Sequence, residues 1–289
     1  MRLVAFNIDG EHRLGLKKGS EVIDLTVAAP HLPTSLDLIL EEGLETLNEI
    51  STLELNENES ARLDSRSLHY EPLIKRSPKI ICIGRNYAAH ALEGGAEPPT
   101  YPEIFFRGAE SLIGHKQPIV RPQCSEKLDY EGEIAAVVGR EARHVNESNG
   151  LHYIAGYCLF NDATIRDYQR KSSQWTIGKN FDGTGAIGPE FVSADELPLG
   201  MHGVRIQTRL NGKVMQDANT KDLIFPVAQL VAILSECMTL MPGDIIVTGT
   251  PSGVGYVRNP LVFMEPGDIC EVEAEGLGVL RNQVIDETI

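Results

Sequence analysis

A chain of 289 residues with 42% hydrophobic and 23% charged side chains has the composition of an ordinary globular protein, which sets disordered, collagen-like and coiled-coil architectures aside. With 41 acidic against 26 basic side chains the net charge is −15, a surface that repels a phosphate backbone, so nucleic acid is excluded as a partner. Five scattered cysteines (Cys82, Cys124, Cys158, Cys237, Cys270) read as thiols of a reducing compartment, and no stretch nears about 18 uninterrupted apolar residues; a cytoplasmic protein without a membrane partner is expected.

In chain order, the runs LVAFNID, RLGLKKG and EVIDL, separated by turn residues, predict a small β-meander. Residues 35–65 carry Leu36, Leu38, Ile39, Leu44, Leu47 and Ile50 at helical spacing, which predicts one or two surface helices. Two prolines in HYEPLIKRSPKIICIG precede a strong strand and mark residues 66–78 as a linker. The expected division is a small N-terminal α+β domain over 1–70 and a larger, mostly β domain over 71–289. In the latter, IICIG, IVRP, EIAAVVG, IAGYCLF, RIQTRLNG, DIIVTGTP and DICEVEAEG read as short strands, and PVAQLVAILSECMTL reads as an amphipathic helix.

Chemistry concentrates in three places. In GRNYAAHALEGG, Arg85 precedes a short helix beginning near Asn86 and ended by Gly94-Gly95, so His90 and Glu93 share a face at i,i+3. That spacing suits a base and its orienting carboxylate, and it suits an incidental surface pair equally well. In LDYEGEIAAVVG, Glu131 and Glu133 project to one side of a strand. They are either the solvated face of an edge strand or two carboxylates that demand a cation. IAGYCLFNDAT ends an apolar strand in Asp162, a third carboxylate, and an all-oxygen set favours Mg²⁺, Mn²⁺ or Ca²⁺ over Zn²⁺. Lys179 and Thr250 lie in Gly-rich loops that can bring a cation and backbone N–H groups to an anion. TGTPSGVG lacks the Lys-Ser/Thr of a phosphate loop, so nucleotide binding is not expected.

Taken in order, GRNYAAHALE, LDYEGEIAAVVG, GYCLFNDATIRDYQ, WTIGKNFD, LNGKVMQDANT and MPGDIIVTGTPSGVG resemble the fumarylacetoacetate hydrolase family over residues 78–287, in its acylpyruvase and 2-hydroxyhepta-2,4-diene-1,7-dioate isomerase-like branch. The resemblance implies an α+β, predominantly β fold, a mixed β-sandwich roll, in a homodimer. It implies Glu131, Glu133 and Asp162 as ligands of Mg²⁺ or Mn²⁺, with Ca²⁺ a substitute in crystals. His90 and Glu93 would be catalytic residues on a mobile lid, and Lys179 would contact the substrate or its developing oxyanion. Arg85, Tyr87, Gln169 and Thr250 would bind substrate. Where relatives often carry Phe-Phe-Lys-Pro, this chain has Phe105-Phe106-Arg107-Gly108, so Arg107 is expected in that lysine's place. Gly183-Thr184-Gly185 after Asp182 is expected to form a more flexible loop than in many relatives.

The implied reaction is hydrolysis of a carbon–carbon bond in an acylpyruvate-type 2,4-dioxo acid, as in aromatic catabolism, through an enolate stabilised by the ion. Decarboxylation of oxaloacetate and isomerisation or decarboxylation of a muconate-type diacid use the same electron sink. A non-catalytic protein with a structural ion is the alternative from another class, distinguished by a closed coordination shell. Three carboxylates around a divalent ion leave the site negative, so a small anionic 2-oxo acid would need Arg85, Arg107 and Lys179.

Overall fold

The computed structural model describes residues 1–52 and 59–288. It opens with β1 (Arg2–Ile8), β2 (Glu11–Lys18) and β3 (Glu21–Asp24), then α1 (Leu25–Ala28), α2 (Leu36–Glu42) and α3 (Leu44–Thr52). The short β4 (Arg62–Asp64) and β5 (His69–Tyr70) follow, then β6 (Ile80–Gly84), α4 (Ala88–Glu93) and β7 (Glu103–Arg107). Next come β8 (Leu112–Ile113), β9 (Ile119–Arg121), β10 (Leu128–Asp129), β11 (Gly132–Val138), β12 (Ile154–Asp162) and β13 (Thr164–Ile165). Two single-turn helices, α5 (Arg166–Gln169) and α6 (Thr176–Lys179), lead to β14 (Gly185–Ser193), β15 (Arg205–Leu210) and β16 (Lys213–Asn219). The chain closes with α7 (Val227–Cys237), β17 (Ile245–Val247), β18 (Ile269–Ala274) and β19 (Gly278–Asp286). The α+β, predominantly β expectation holds. The helical expectation over 35–65 is met by α2 and α3, and residues 53–58 of it lie outside the described residues.

One long sheet runs β4-β3-β2-β1-β14-β12-β11-β17-β6-β7, with β5 against β1 and β8 against β14, and a second sheet runs β16-β15-β18-β19-β9. β11 and β12 lie at the middle of the first sheet and are buried on both faces, which is why IAAVV and IAGYCLF read as continuous apolar runs rather than alternating ones. Ala135 and Val137 of β11, with Cys158 and Phe160 of β12, join an apolar cluster with Leu36, Ile39 and Leu47 of the N-terminal helices. Ile134, Ala136 and Val138 point the other way, into a cluster with Leu230 and Leu234 of α7 and Val272 and Leu280 of the second sheet.

The N-terminal β-meander continues the large sheet: β1 pairs antiparallel with β14, with Leu3 opposite Phe191, and both residues are fully buried. β14 escapes a pattern reading because GAIGPEFVS contains two glycines and a proline. Pro189 is accommodated where the β12–β14 register shifts, between Tyr157 and Leu159, a place that does not need its missing N–H. No helix among the described residues is long and apolar enough to cross a membrane.

Residues 1–70 therefore supply apolar side chains and the strands β1–β5 to the same sheet and core as the rest. A chain beginning at residue 71 would expose the β14 edge and the face that Leu3, Leu14, Leu36 and Ile39 cover. Such a truncation is expected to aggregate or to lose its cooperative thermal transition. A soluble, cooperatively melting 71–289 fragment would show instead that the first seventy residues form an independent unit.

Candidate active site

The β11–β12 register places Gly132 opposite Asn161, so Glu131 and Asp162 face each other one step further on, and the Asp162 N–H donates to the Glu131 carbonyl at 2.9 Å. Glu131 and Glu133 share the parity of Ala135 and Val137, and Asp162 shares that of Cys158 and Phe160. All three carboxylates thus fall on one face, and their oxygens lie within 4.8 Å of one another at buried positions. Gly132 between the two glutamates has to be glycine, because a Cβ there would come 2.1 Å from Thr208 Oγ1. The solvated-edge-strand alternative is ruled out: Glu131 and Glu133 are 5% and 2% exposed.

Three cations approach this cluster. Lys179 Nζ, delivered by α6, donates to Glu131 Oε2 and Asp162 Oδ2, each at 2.5 Å. Arg166 at the start of α5 pairs with Glu131 Oε1 at 2.6 Å and donates from Nε to Asp129 Oδ2 at 2.8 Å. Arg107 at the end of β7 donates to Asp162 Oδ1 at 2.6 Å and to Thr184 Oγ1 at 2.7 Å. Glu133 makes no ion pair among the described residues; its partner is the Gly249 N–H at 2.5 Å. Gly249 has φ +107 and lies where a Cβ would be 2.7 Å from that of Asn86, so this donor too requires glycine.

Burial alone would raise the Glu131 carboxyl, but Arg166, Lys179 and His90 outweigh it and hold it at about 2. Burial, then Asp162 and Glu131, push Glu133 well above the ordinary range. Burial opposes the Lys179 ammonium, yet Asp162 and Glu131 raise its pKa and keep it charged. Glu133 is therefore a buried carboxylate with like-charged neighbours and no paired cation among the described residues. The donor set is all oxygen and opens into a cleft of about 150 Å³. Both features fit a hard divalent ion with positions left for a ligand, and the closed shell of a structural ion does not match a trio that lines a cleft.

His90 lines the same cleft, and its Nδ1 lies 2.8 Å from Glu93 Oε1. Glu93 also accepts the Gly253 N–H at 2.8 Å, which ties α4 to the loop after β17. The helix begins at Ala88 rather than near Asn86 because Asn86 is used elsewhere: its amide donates to the carbonyls of Phe225 and Thr248 at 3.0 and 2.7 Å and accepts the Phe225 N–H at 2.8 Å. Arg85 sits at the turn before it with φ +52, strained for a non-glycine residue. Its guanidinium stacks 5.4 Å from the Trp175 ring and pairs with Glu103 at 3.0 Å.

Of the residues singled out from sequence, Arg85, His90, Glu131, Glu133, Asp162, Gln169, Lys179 and Thr250 line one cleft, with Glu93 directly behind His90. Two are placed differently. Arg107, expected to face substrate, is buried behind Asp162 with its donors taken by Asp162, Ala163, Ser111 and Thr184. It positions a carboxylate. Tyr87 is 4% exposed and bridges to the Leu223 backbone away from the cleft lining. The expected loose loop at Gly183-Thr184-Gly185 is pinned, because Thr184 is fully buried and donates to the Phe181 carbonyl at 2.6 Å while holding Arg107.

Four residues escaped the sequence reading: Arg166, Arg170, Tyr256 and Asp129. A signal existed for the arginines, since Arg166, Gln169 and Arg170 stand at i, i+3 and i+4, one face of a helical turn four residues after Asp162. Asp129 stands two residues before Glu131 in the strand-like run, but serves differently: it holds Arg166 and accepts the N–H groups of Gly255 and Tyr256 at 2.8 and 3.1 Å. Nothing local in sequence marks Tyr256.

Comparison with known proteins gives a consistent result. Residues 79–285 match the family model described as fumarylacetoacetate (FAA) hydrolase, C-terminal. A mitochondrial oxaloacetate tautomerase of Bos taurus is 36% identical over 99% of this chain and 92% of that protein. Among solved structures, fumarylacetoacetate hydrolase from psychrophilic Exiguobacterium antarcticum superposes with a TM-score of 0.85 at 31% identity, covering 99% of this chain and 100% of the other. Maleylpyruvate hydrolase from Sphingobium sp. SYK-6, in complex with manganese(II) and pyruvate, superposes with a TM-score of 0.81 at 26% identity over 100% of both chains.

The raised pKa of Glu133 fixes a sign. Between its ordinary value of 4.5 and the raised one, the metal-free folded protein binds more protons than the unfolded chain, so stability falls as pH rises through that window. Each pH unit there costs up to about 1.4 kcal/mol, or about 2–4 °C in melting temperature for a chain of this size. In EDTA the melting temperature should decline upward from about pH 5, less steeply in Glu133→Gln, and Mn²⁺ should stabilise the wild type increasingly as pH rises. A Mn²⁺ effect of equal size in Glu133→Gln would contradict this site as the place of binding.

Proposed function

The chain belongs to the fumarylacetoacetate hydrolase family, and from that premise we propose a divalent-metal-dependent enzyme that forms and reprotonates the enolate of a short 2-oxo acid, with oxaloacetate the first substrate to assay. The observation that carries this reading is the meeting of a buried carboxylate trio and a His–Glu pair in one small cleft. Glu131, Glu133 and Asp162 would hold Mg²⁺ or Mn²⁺, which supplies Lewis-acid stabilisation of enolate charge.

The remaining roles fall to side chains. Glu93 on Nδ1 fixes the His90 tautomer that leaves Nε2 free to accept a proton. His90 would take that proton from the carbon next to the 2-oxo group and return it, to carbon for the keto form or by way of solvent for the enol. Lys179 and Arg166 hold the carboxylates in place and present positive charge to the substrate carboxylate. Phe105 and Trp175, edge to face at 5.6 Å, give the cleft an apolar wall. A cavity of about 150 Å³ is similar in volume to one that takes up benzene, which favours a short substrate.

Hydrolysis of an acylpyruvate is the second reading, supported by the likeness to maleylpyruvate hydrolase and by a histidine able to activate water. Its acyl tail would run along Trp175 towards the cleft mouth. Both readings share the ion and His90.

The test is a spectrophotometric assay of oxaloacetate keto–enol exchange above the buffer rate, beside acylpyruvate cleavage. EDTA should abolish activity and Mn²⁺ or Mg²⁺ restore it. His90→Ala should lower the rate by roughly 10²–10⁴-fold, and Glu93→Gln should lower it less. Acylpyruvate cleavage outpacing oxaloacetate exchange would select the second reading, and full activity in EDTA would overturn both.

A further inference from the structure

Beyond the trio and His90, the cleft has a second charged region, of which the proposed chemistry uses Arg166 alone. Arg166 and Arg170, at the two ends of α5, both lie against Tyr256, their guanidinium carbons 4.3 and 4.4 Å from its ring centroid, well inside cation–π range. All three side chains line the cleft. Tyr256 is held from behind, since the N–H groups of Gly255 and Tyr256 donate to the buried carboxylate of Asp129, the same carboxylate that takes Arg166 Nε.

The charges here are not spent within the protein. Arg166 Nη2 is buried without a hydrogen-bond partner among the described residues, although Nε and Nη1 are engaged. Arg170 is exposed to the cleft mouth and has no ion pair among the described residues, unlike Arg85, whose guanidinium already meets Glu103 at 3.0 Å. A buried guanidinium N–H left unmatched is costly unless a ligand supplies the acceptor. Each guanidinium is by itself a planar fork of N–H donors that matches a carboxylate.

We propose that Arg170, together with the free Nη2 of Arg166, binds a second carboxylate at the end of the substrate remote from the 2-oxo group, so that the enzyme selects dicarboxylic over monocarboxylic 2-oxo acids. Arg170 is the specificity-determining residue of the pair, because Arg166 is also bound to Glu131 and Asp129. This inference rests on the proposed 2-oxo acid chemistry for the orientation of the ligand, with its chelating end towards the trio.

The test uses an unreactive pair of 2-hydroxy acids that differ in the distal carboxylate, malate and lactate, titrated calorimetrically into the full-length protein at saturating Mn²⁺. Emission of the single tryptophan, Trp175 in the cleft wall, serves as a second readout. Malate should bind at least tenfold more tightly than lactate. Arg170→Met should bring that ratio close to one, and Arg170→Lys, which keeps the charge but not the fork, should restore part of it. A wild-type ratio near one, or the wild-type ratio retained in Arg170→Met, overturns the inference. Because neither acid is turned over, a preference for malate in a protein that fails to exchange oxaloacetate would count against the proposed function alone.

Discussion

Three carboxylates buried within 4.8 Å of one another set the terms for everything around them. Unpaired, such a cluster would not ionise, and a folded chain that contained it would be heavily destabilised. Each surrounding element answers part of that demand. β7 brings Arg107 to Asp162, α5 brings Arg166 to Glu131, and α6 brings Lys179 to both. The glycine turn after β17 gives Glu133 its single N–H. Such sites depend on the register of β11 against β12, because a slip by one residue would turn the carboxylates of one strand to the opposite face of the sheet.

The balance of charge differs from the one that the carboxylates alone suggest. Counting Asp129, four acids meet three cations, Arg107, Arg166 and Lys179, so a divalent ion would leave the centre positive rather than negative. An anionic ligand would then be attracted locally even though the whole chain carries −15. Arg107 contributes to this from behind Asp162 and does not need to reach the ligand. Its forked guanidinium binds Asp162 through one terminal nitrogen and Thr184 through the other.

Much of this was legible in the chain itself. Glu131, Glu133 and Asp162 could be grouped because strand parity is a local rule, and His90 with Glu93 because helical spacing is another. What the sequence hides is contact between distant segments. Arg107 and Tyr87 look like cleft residues by position, yet the Arg107 side chain is taken up by Thr184 and the Tyr87 backbone bridges to Leu223, both remote in sequence. Tyr256 and Asp129 depend on a loop meeting a strand end 126 or more positions away, which no periodicity reports. β14 was missed for a different reason, since its glycines and proline resemble turn chemistry while tertiary pairing on both sides holds it as a strand.

The most direct test of the central claim is an anomalous difference map from crystals of the protein grown with Mn²⁺. One manganese should appear about 2.0–2.3 Å from oxygens of Glu131, Glu133 and Asp162, with the Lys179 ammonium withdrawn from the point where it now bridges two of them. The remaining coordination positions should face the cleft that contains His90. A map with no peak between these carboxylates at saturating Mn²⁺, or with manganese bound only elsewhere, would contradict the account.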